Sequence, residues 1–179
     1  MLERRSALAA ARPYVSAVLE IRESPDFALV QVAALSADFE KRLTSVLGPL
    51  PKSVGVAKVK EGRTLLRIGP SQFWVLGAAA DDVAAALAGM DAVTPLSQSR
   101  TRIVISGAPA RDVLAKLVPL DFHHKAFLPG SFAMTGLHHT PVLVHCTGKT
   151  SFEVYALRTF ALSVWDAIAD AALEHSDRS

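Results

Sequence analysis

Residues 102–117 read Arg102-Ile-Val-Ile-Ser-Gly-Ala-Pro-Ala-Arg-Asp-Val-Leu-Ala-Lys-Leu117, and they join a strand directly to a helix. Ile103, Val104 and Ile105 are β-branched in succession, which suits a pleated, buried strand. Pro109 sits where a first-turn proline forfeits only an orphan N–H. Val113, Leu114 and Leu117 then recur at helical spacing and give that helix an apolar face. Asp112, near the helix start, is favoured there by the macrodipole.

Working outward, the same grammar continues on both sides. Downstream, Ser131–Leu137 and Val142–Cys146 read as strands joined through His138-His139-Thr140-Pro141. Gly148-Lys149-Thr150 turns the chain into a strand ending at Leu157. A long helix follows from Thr159 to about Leu173, with Leu162, Trp165, Ile168, Ala169 and Leu173 assigned to one face. Upstream, Phe27–Ala33 reads as a buried strand, and Ser36 offers an N-cap hydroxyl to a helix faced by Phe39, Leu43, Val46 and Leu47. Gly48-Pro49 stops that helix. Val54–Lys60 alternates as a strand, and Thr64–Ile68 with Phe73–Leu76 forms a hairpin closed by Gly69-Pro70-Ser71-Gln72. Asp81 is expected to cap a helix reaching about Gly89, with Val83, Leu87 and Met90 inward.

Each half therefore reads strand, helix, two or three strands, helix. The fold class implied is α+β: two pseudo-repeated split βαββ-type units, with antiparallel sheets and helices packed on them. Residue identity between the halves is poor, so the repeat is one of architecture. No Gly/Ser linker separates them, and Asp91–Gln98 looks like a connecting strand. The expected organisation is one integrated domain over 1–179: a leader and first strand in 1–25, a first half in 26–98, a second half in 99–173 and a tail in 174–179.

Composition excludes several classes of protein. Half of the chain is hydrophobic and 20% is charged, too apolar for disorder. A chain of this mass buries ~70% of its unfolded surface, so a core needs neither disulfides nor metal. The longest apolar run, Phe73–Ala80, is far short of the ~20 residues that span a bilayer. The stretch Ala7–Ala11 is too short for a signal sequence, and the N-terminus reads as a frayed or helical leader of a cytoplasmic protein. Lys and Arg number 19 against 17 Asp and Glu, without the clustering that nucleic acid requires.

Candidate chemistry is sparse. His138, His139, His145 and Cys146 lie close in sequence but lack zinc-knuckle spacing. Neighbours on a strand point to opposite faces, so His145 and Cys146 read as one exposed histidine and one small buried thiol. His123-His124 has the same adjacency problem in a loop. No G-x-S-x-G elbow, G-x-G-x-x-G turn or Walker loop is present. Asp81-Asp82 and Asp112 sit at helix starts, and Asp121 is placed to organise a turn. No catalytic, cofactor-binding or metal-ligating residue is expected.

One segment carries a specific resemblance. Ser99-Arg100, Ser106-Gly107, Ala110-Arg111-Asp112-x-Leu114 and Pro119-Leu120-Asp121-Phe122-His123 resemble, in order, a pattern of the gamma subunits of heterotetrameric sarcosine oxidases. Ala126-Phe127-x-Pro129-Gly130, Pro141-Val142-Leu143, the hairpin Arg67–Trp74 and the closing helix with Phe160, Leu162 and Trp165 fit as well. The resemblance covers about residues 60–172. It implies a fold similar to the folate-binding domain of glycine-cleavage aminomethyltransferase.

The resemblance also implies alpha, beta and delta partner subunits, with docking on alpha. FAD, FMN, NAD, tetrahydrofolate and zinc would be held by those chains and none by this one. The implied complex is an oxidoreductase of sarcosine catabolism acting on CH–NH donors, in which this chain is a noncatalytic structural subunit. Aminomethyltransferases carry an acidic, glycine-rich hairpin that serves the folate chemistry. The corresponding stretch here, Gly136–His145, has no carboxylate, and no Lys-Gly-Cys-Tyr-type motif of the related iron–sulfur assembly proteins occurs. The alternative is a stand-alone folate-type small-ligand binder. Phe127, with Arg100 and Trp74 behind it, is the candidate partner anchor, since aromatic and arginine side chains dominate interfaces.

Overall fold

The structure is a computed structural model that describes residues 5–34, 37–77, 80–87 and 91–176. Ser36, Gly89 and Met90 lie outside the described residues. By contacts the chain divides into two compact units, one made of residues 1–25 with 99–179 and the other of residues 26–98.

The middle unit begins with β3 (Leu29–Ala34) and α1 (Phe39–Leu47). It continues with the meander β4 (Ala57–Lys60), β5 (Arg63–Gly69) and β6 (Gln72–Leu76), then α2 (Ala80–Ala86) and β7 (Asp91–Pro95). Its five strands lie in the order β4-β5-β6-β3-β7, and every pairing is antiparallel. Val30, Val32, Leu65, Phe73 and Val75 form one buried cluster with Phe39, Leu43 and Leu47 of α1 and Val83 and Leu87 from α2 and its end. Two boundaries differ from expectation. Asp81 falls inside α2 rather than ahead of it, and α2 ends at Ala86. The segment 54–56 precedes β4 instead of belonging to it.

The terminal unit holds β1 (Tyr14–Val15), β2 (Leu19–Glu23), β8 (Arg100–Gly107), α3 (Ala110–Leu117), β9 (Phe132–Leu137), β10 (Thr140–Gly148), β11 (Ser151–Leu157) and α4 (Ala161–Ala172). Its sheet order is β1-β2-β8-β11-β10-β9. Both units thus share one plan. A three-strand meander lies beside the strand that precedes the first helix, because β6 pairs with β3 and β11 pairs with β8.

Residues 14–23 supply two strands of this sheet. Ile21 pairs opposite Ile105 and is fully buried, as Leu19 nearly is. The approach is close at Gly107, which adopts φ 135° and would place any Cβ 2.0 Å from the Val18 carbonyl. Only glycine fits that backbone without displacement.

The helix face of this sheet, with Ile21, Ile105, Val144, Phe152 and Val154, packs against α3 and α4. The face of α4 differs from the one expected. Ala161, Val164, Trp165, Ile168 and Ala172 are buried, while Leu162 and Leu173 are more than half exposed. Spacing of i, i+3, i+4, i+7 and i+11 is the helical stripe, and alanines fill it where leucines were assigned.

Candidate functional site

The motif residues of the second half converge on one side chain, Arg111. It leaves the first turn of α3 and reaches the loop before β9, which has no regular structure of its own. One Nη1 donates to the Phe122 carbonyl at 2.7 Å and the Phe127 carbonyl at 3.1 Å, and Nε donates to the Lys149 carbonyl at 3.0 Å. Its guanidinium also lies 5.1 Å over the Phe152 ring. A planar five-donor fork suits this task, which a lysine point charge could not repeat. Asp121 tightens the same loop by accepting a 2.8 Å bond from the His123 N–H.

Phe127 lies inside this arrangement. It is 7% exposed, edge-on to Phe122 at 5.5 Å and stacked on Phe152 at 6.5 Å. Trp74 is 3% exposed and donates from Nε1 to Gln31 Oε1 at 3.1 Å. Arg100 is half-buried, bonded to Ser99, and its burial lowers the guanidinium pKa. Of the three expected anchors, Phe127 and Trp74 thus lie in the interior of the chain, and Arg100 is partly exposed.

A cleft of about 470 Å³ opens between α3 and this loop, lined among others by Asp112, Asp121, Leu120, His123 and His124. The His123 and His124 rings lie 4.1 Å apart, and His123 Nδ1 accepts from the Lys125 N–H at 3.3 Å. Among the described residues no three His, Cys, Asp or Glu side chains gather closely enough to hold a metal ion.

Cys146 is fully buried, donates to the Gly148 carbonyl at 3.2 Å and receives Arg111 Nη2 at 3.6 Å. Burial pushes its thiol pKa up against the lowering pull of Arg111. A nucleophile needs the opposite balance. His145, expected at the surface, is only 4% exposed. The second face of the sheet is covered at β10 and β11 too, since Leu143 and Tyr155 are 1% exposed. The apolar run Val142-Leu-Val is the signature of a strand buried on both faces.

On that second face the register sets Tyr155 opposite Arg102 and His145 opposite Glu153. Tyr155 Oη donates to Glu153 Oε2 at 2.6 Å. Arg102 stands 3.7 Å from Glu153 Oε1, and His145 Nδ1 stands 3.6 Å from Oε2. Arg102 also bonds Ser24 Oγ at 2.6 Å, tying β8 to the end of β2. Burial would raise the Glu153 carboxyl, but His145, Tyr155 and Arg102 outweigh it and hold the group below the usual carboxylate range. Tyr155 moves up, chiefly by burial and then by the charge of Glu153. At neutral pH Glu153 is therefore an ionised carboxylate and Tyr155 a protonated phenol that donates to it. Sequence alone does not reveal this network, because Arg102, His145 and Glu153 lie on three separate strands that only the register unites.

The stretch Gly136–His145, which the resemblance sets against the acidic hairpin of aminomethyltransferases, lies in the hairpin β9–β10. His138 takes φ 50° at its turn. No Asp or Glu occurs from Phe122 through Phe152, so the residues present do not fit a folate site that relies on a carboxylate there.

Comparison with known proteins gives a consistent picture. The family model described as the GCVT N-terminal domain matches residues 46–177. The sarcosine oxidase subunit gamma of Corynebacterium sp. strain P-1 is 30% identical over 176 residues, covering 94% of this chain and 87% of that protein. The subunit gamma of an Arthrobacter species is 37% identical over 119 residues, or 63% of this chain, and the chain spans 59% of that relative's length. Among solved structures, a chain of the heterotetrameric sarcosine oxidase of Corynebacterium sp. U-96 superposes with TM-score 0.86 and 26% identity, covering 98% of both chains. The glycine cleavage system aminomethyltransferase T of Bartonella henselae superposes with TM-score 0.67 over 86% of this chain and 46% of its own. At 14% identity it shares the fold alone.

Proposed function

Because the chain belongs to the GCVT N-terminal domain family, and within it to the sarcosine oxidase gamma subunits, we propose that it serves as the noncatalytic gamma subunit of a heterotetrameric sarcosine oxidase. The complex converts sarcosine to glycine, passes the methyl carbon to tetrahydrofolate and reduces oxygen to hydrogen peroxide. Its flavins, NAD, folate and zinc belong to the alpha, beta and delta subunits, and this chain docks on alpha. The observation that carries the reading is the end-to-end likeness, in both directions, to one chain of such an oxidase.

The chain's own residues favour a structural part. Arg111 is engaged by backbone carbonyls, the Cys146 thiol is held up by burial, and the hairpin offers no carboxylate for general-base work. Co-expression with the other subunits tests the reading. One complex containing this chain is expected, with lower yield or stability when it is omitted. Full assembly and full sarcosine-oxidising activity without it would defeat the proposal.

A further inference from the structure

The two sheets present four edges, and three carry the devices that discourage pairing with another chain. β1 is two residues long. β4 bears Lys58 and Lys60. β7 opens on Asp91 and closes on Pro95. The fourth edge, β9, is Phe132-Ala-Met-Thr-Gly-Leu137, with no charge and no proline, and its register with β10 is unbroken. Met134 is 59% exposed on it, and Leu128 in the preceding loop is 51% exposed.

The backbone groups facing outward can be named. The Cys146 N–H donates to the Ser131 carbonyl and the Gly130 N–H donates to the Cys146 carbonyl, so the Ser131 carbonyl faces β10. Antiparallel pairing alternates, and Ala133, Thr135 and Leu137 therefore turn toward β10. Phe132, Met134 and Gly136 turn their N–H and C=O groups away from it.

Charge selects among occupants. The stretch from Phe122 through Phe152, which builds this edge, has no Asp or Glu but contains Lys125 and Lys149. Arg111 ties the backbone of the Lys149 turn to the Phe122–Phe127 loop that flanks Lys125. His138 and His139 close the other end of the strand. An apolar strand with flanking carboxylates complements such an edge.

We propose that β9 receives an extended segment of a partner subunit by strand addition, apolar at its centre and flanked by acidic residues. Main-chain bonds would give affinity and the flanking charges would choose the partner. The inference rests on the subunit reading and specifies where that docking occurs.

Met134→Pro removes one outward N–H and leaves the β9–β10 ladder its donors, as an edge proline should. Met134→Ala removes the side chain and keeps the N–H. Each variant is co-expressed with the other sarcosine oxidase subunits, and capture is measured alongside the melting temperature of the chain alone. M134P is expected to weaken capture at least about tenfold while M134A retains it. Independently of any variant, the Met134 and Gly136 amides should exchange at least about tenfold more slowly in the wild-type complex than in the free chain.

Equal capture of M134P, or unchanged amide exchange in an intact complex, overturns strand addition and leaves the subunit reading standing. Failure of the wild type to assemble defeats the subunit reading, and this inference falls with it. A wild-type dimer of this chain alone that M134P dissolves assigns the edge to a second copy and overturns the proposal.

Discussion

Arg111 shows how a motif residue becomes legible only in three dimensions. Ala110-Arg111-Asp112 read as the start of a helix, and the sequence held no hint that the guanidinium would order the loop beyond that helix's far end. Truncation to Ala leaves the carbonyls of Phe122, Phe127 and Lys149 without their donor. An unsatisfied buried acceptor costs ~1–3 kcal/mol, so we expect Arg111→Ala to destabilise the terminal unit by about 3 kcal/mol in urea unfolding. Arg111→Lys should recover only part, because an ammonium cannot span three carbonyls. A second residue-scale prediction concerns pH. Glu153 binds protons less readily when folded. Its contribution is complete above the unfolded pKa of about 4.3 and fades as pH falls through the lower folded value. Tyr155 is the reverse: its contribution is complete below about 10 and fades as pH rises beyond that. Thermal melts against pH should therefore show a shallower acid limb for Glu153→Gln and a shallower alkaline limb for Tyr155→Phe. Wild-type slopes on both limbs in both variants would count against the network.

At the scale of elements, strands and helices with strong periodicity were legible, and what periodicity leaves ambiguous was not. Ile103–Ile105 and the hairpin of Thr64–Ile68 with Phe73–Leu76 lie where their residues place them. Spacing places the closing helix and finds Trp165 and Ile168 on its buried face, but it assigns Leu162 and Leu173 there in error. An alanine-rich helix is mildly apolar all round, so Leu162 and Leu173 drew the stripe away from Ala161, Val164 and Ala172. His145 was placed at the surface by alternation alone, which predicts exposure only when one sheet face meets water. The strand within residues 1–25 had a period-2 signal in Leu19-Glu-Ile-Arg-Glu23. Its partner could not be read, because β2 pairs with a strand some eighty residues away in the chain, β8. That pairing yields a prediction. Ile21 is fully buried in the helix-side core, so Ile21→Ala should cost ~2–5 kcal/mol, measured as a shift of the denaturant midpoint at constant m. A loss below about 1 kcal/mol, the size of a surface substitution or little more, would mean that β2 is not part of the folded core.

For the whole molecule, the fold and the site part company. The aminomethyltransferase-like architecture is present over most of the chain, yet architecture does not carry function, which resides in particular side chains. The hairpin that the resemblance sets against the aminomethyltransferase folate hairpin offers His138, His139 and Thr140 at its turn, and the surrounding stretch from Phe122 through Phe152 has no carboxylate. A pterin entering such a site would give up water at its N–H donors without a charged acceptor in exchange, at ~1–3 kcal/mol for each group left unpaired. Two such losses already weaken binding by a factor of roughly 30 to 20,000, since every 1.4 kcal/mol is tenfold. We therefore expect calorimetric titration of the purified chain with tetrahydrofolate to give an affinity weaker than micromolar, less than about 8 kcal/mol of binding free energy. Thr140→Asp, which restores a carboxylate near the turn, should tighten that affinity if the missing charge is the cause. A micromolar or tighter site in the wild-type chain would instead show that the fold recognises folate through other groups, and would favour a ligand-binding role over a structural one.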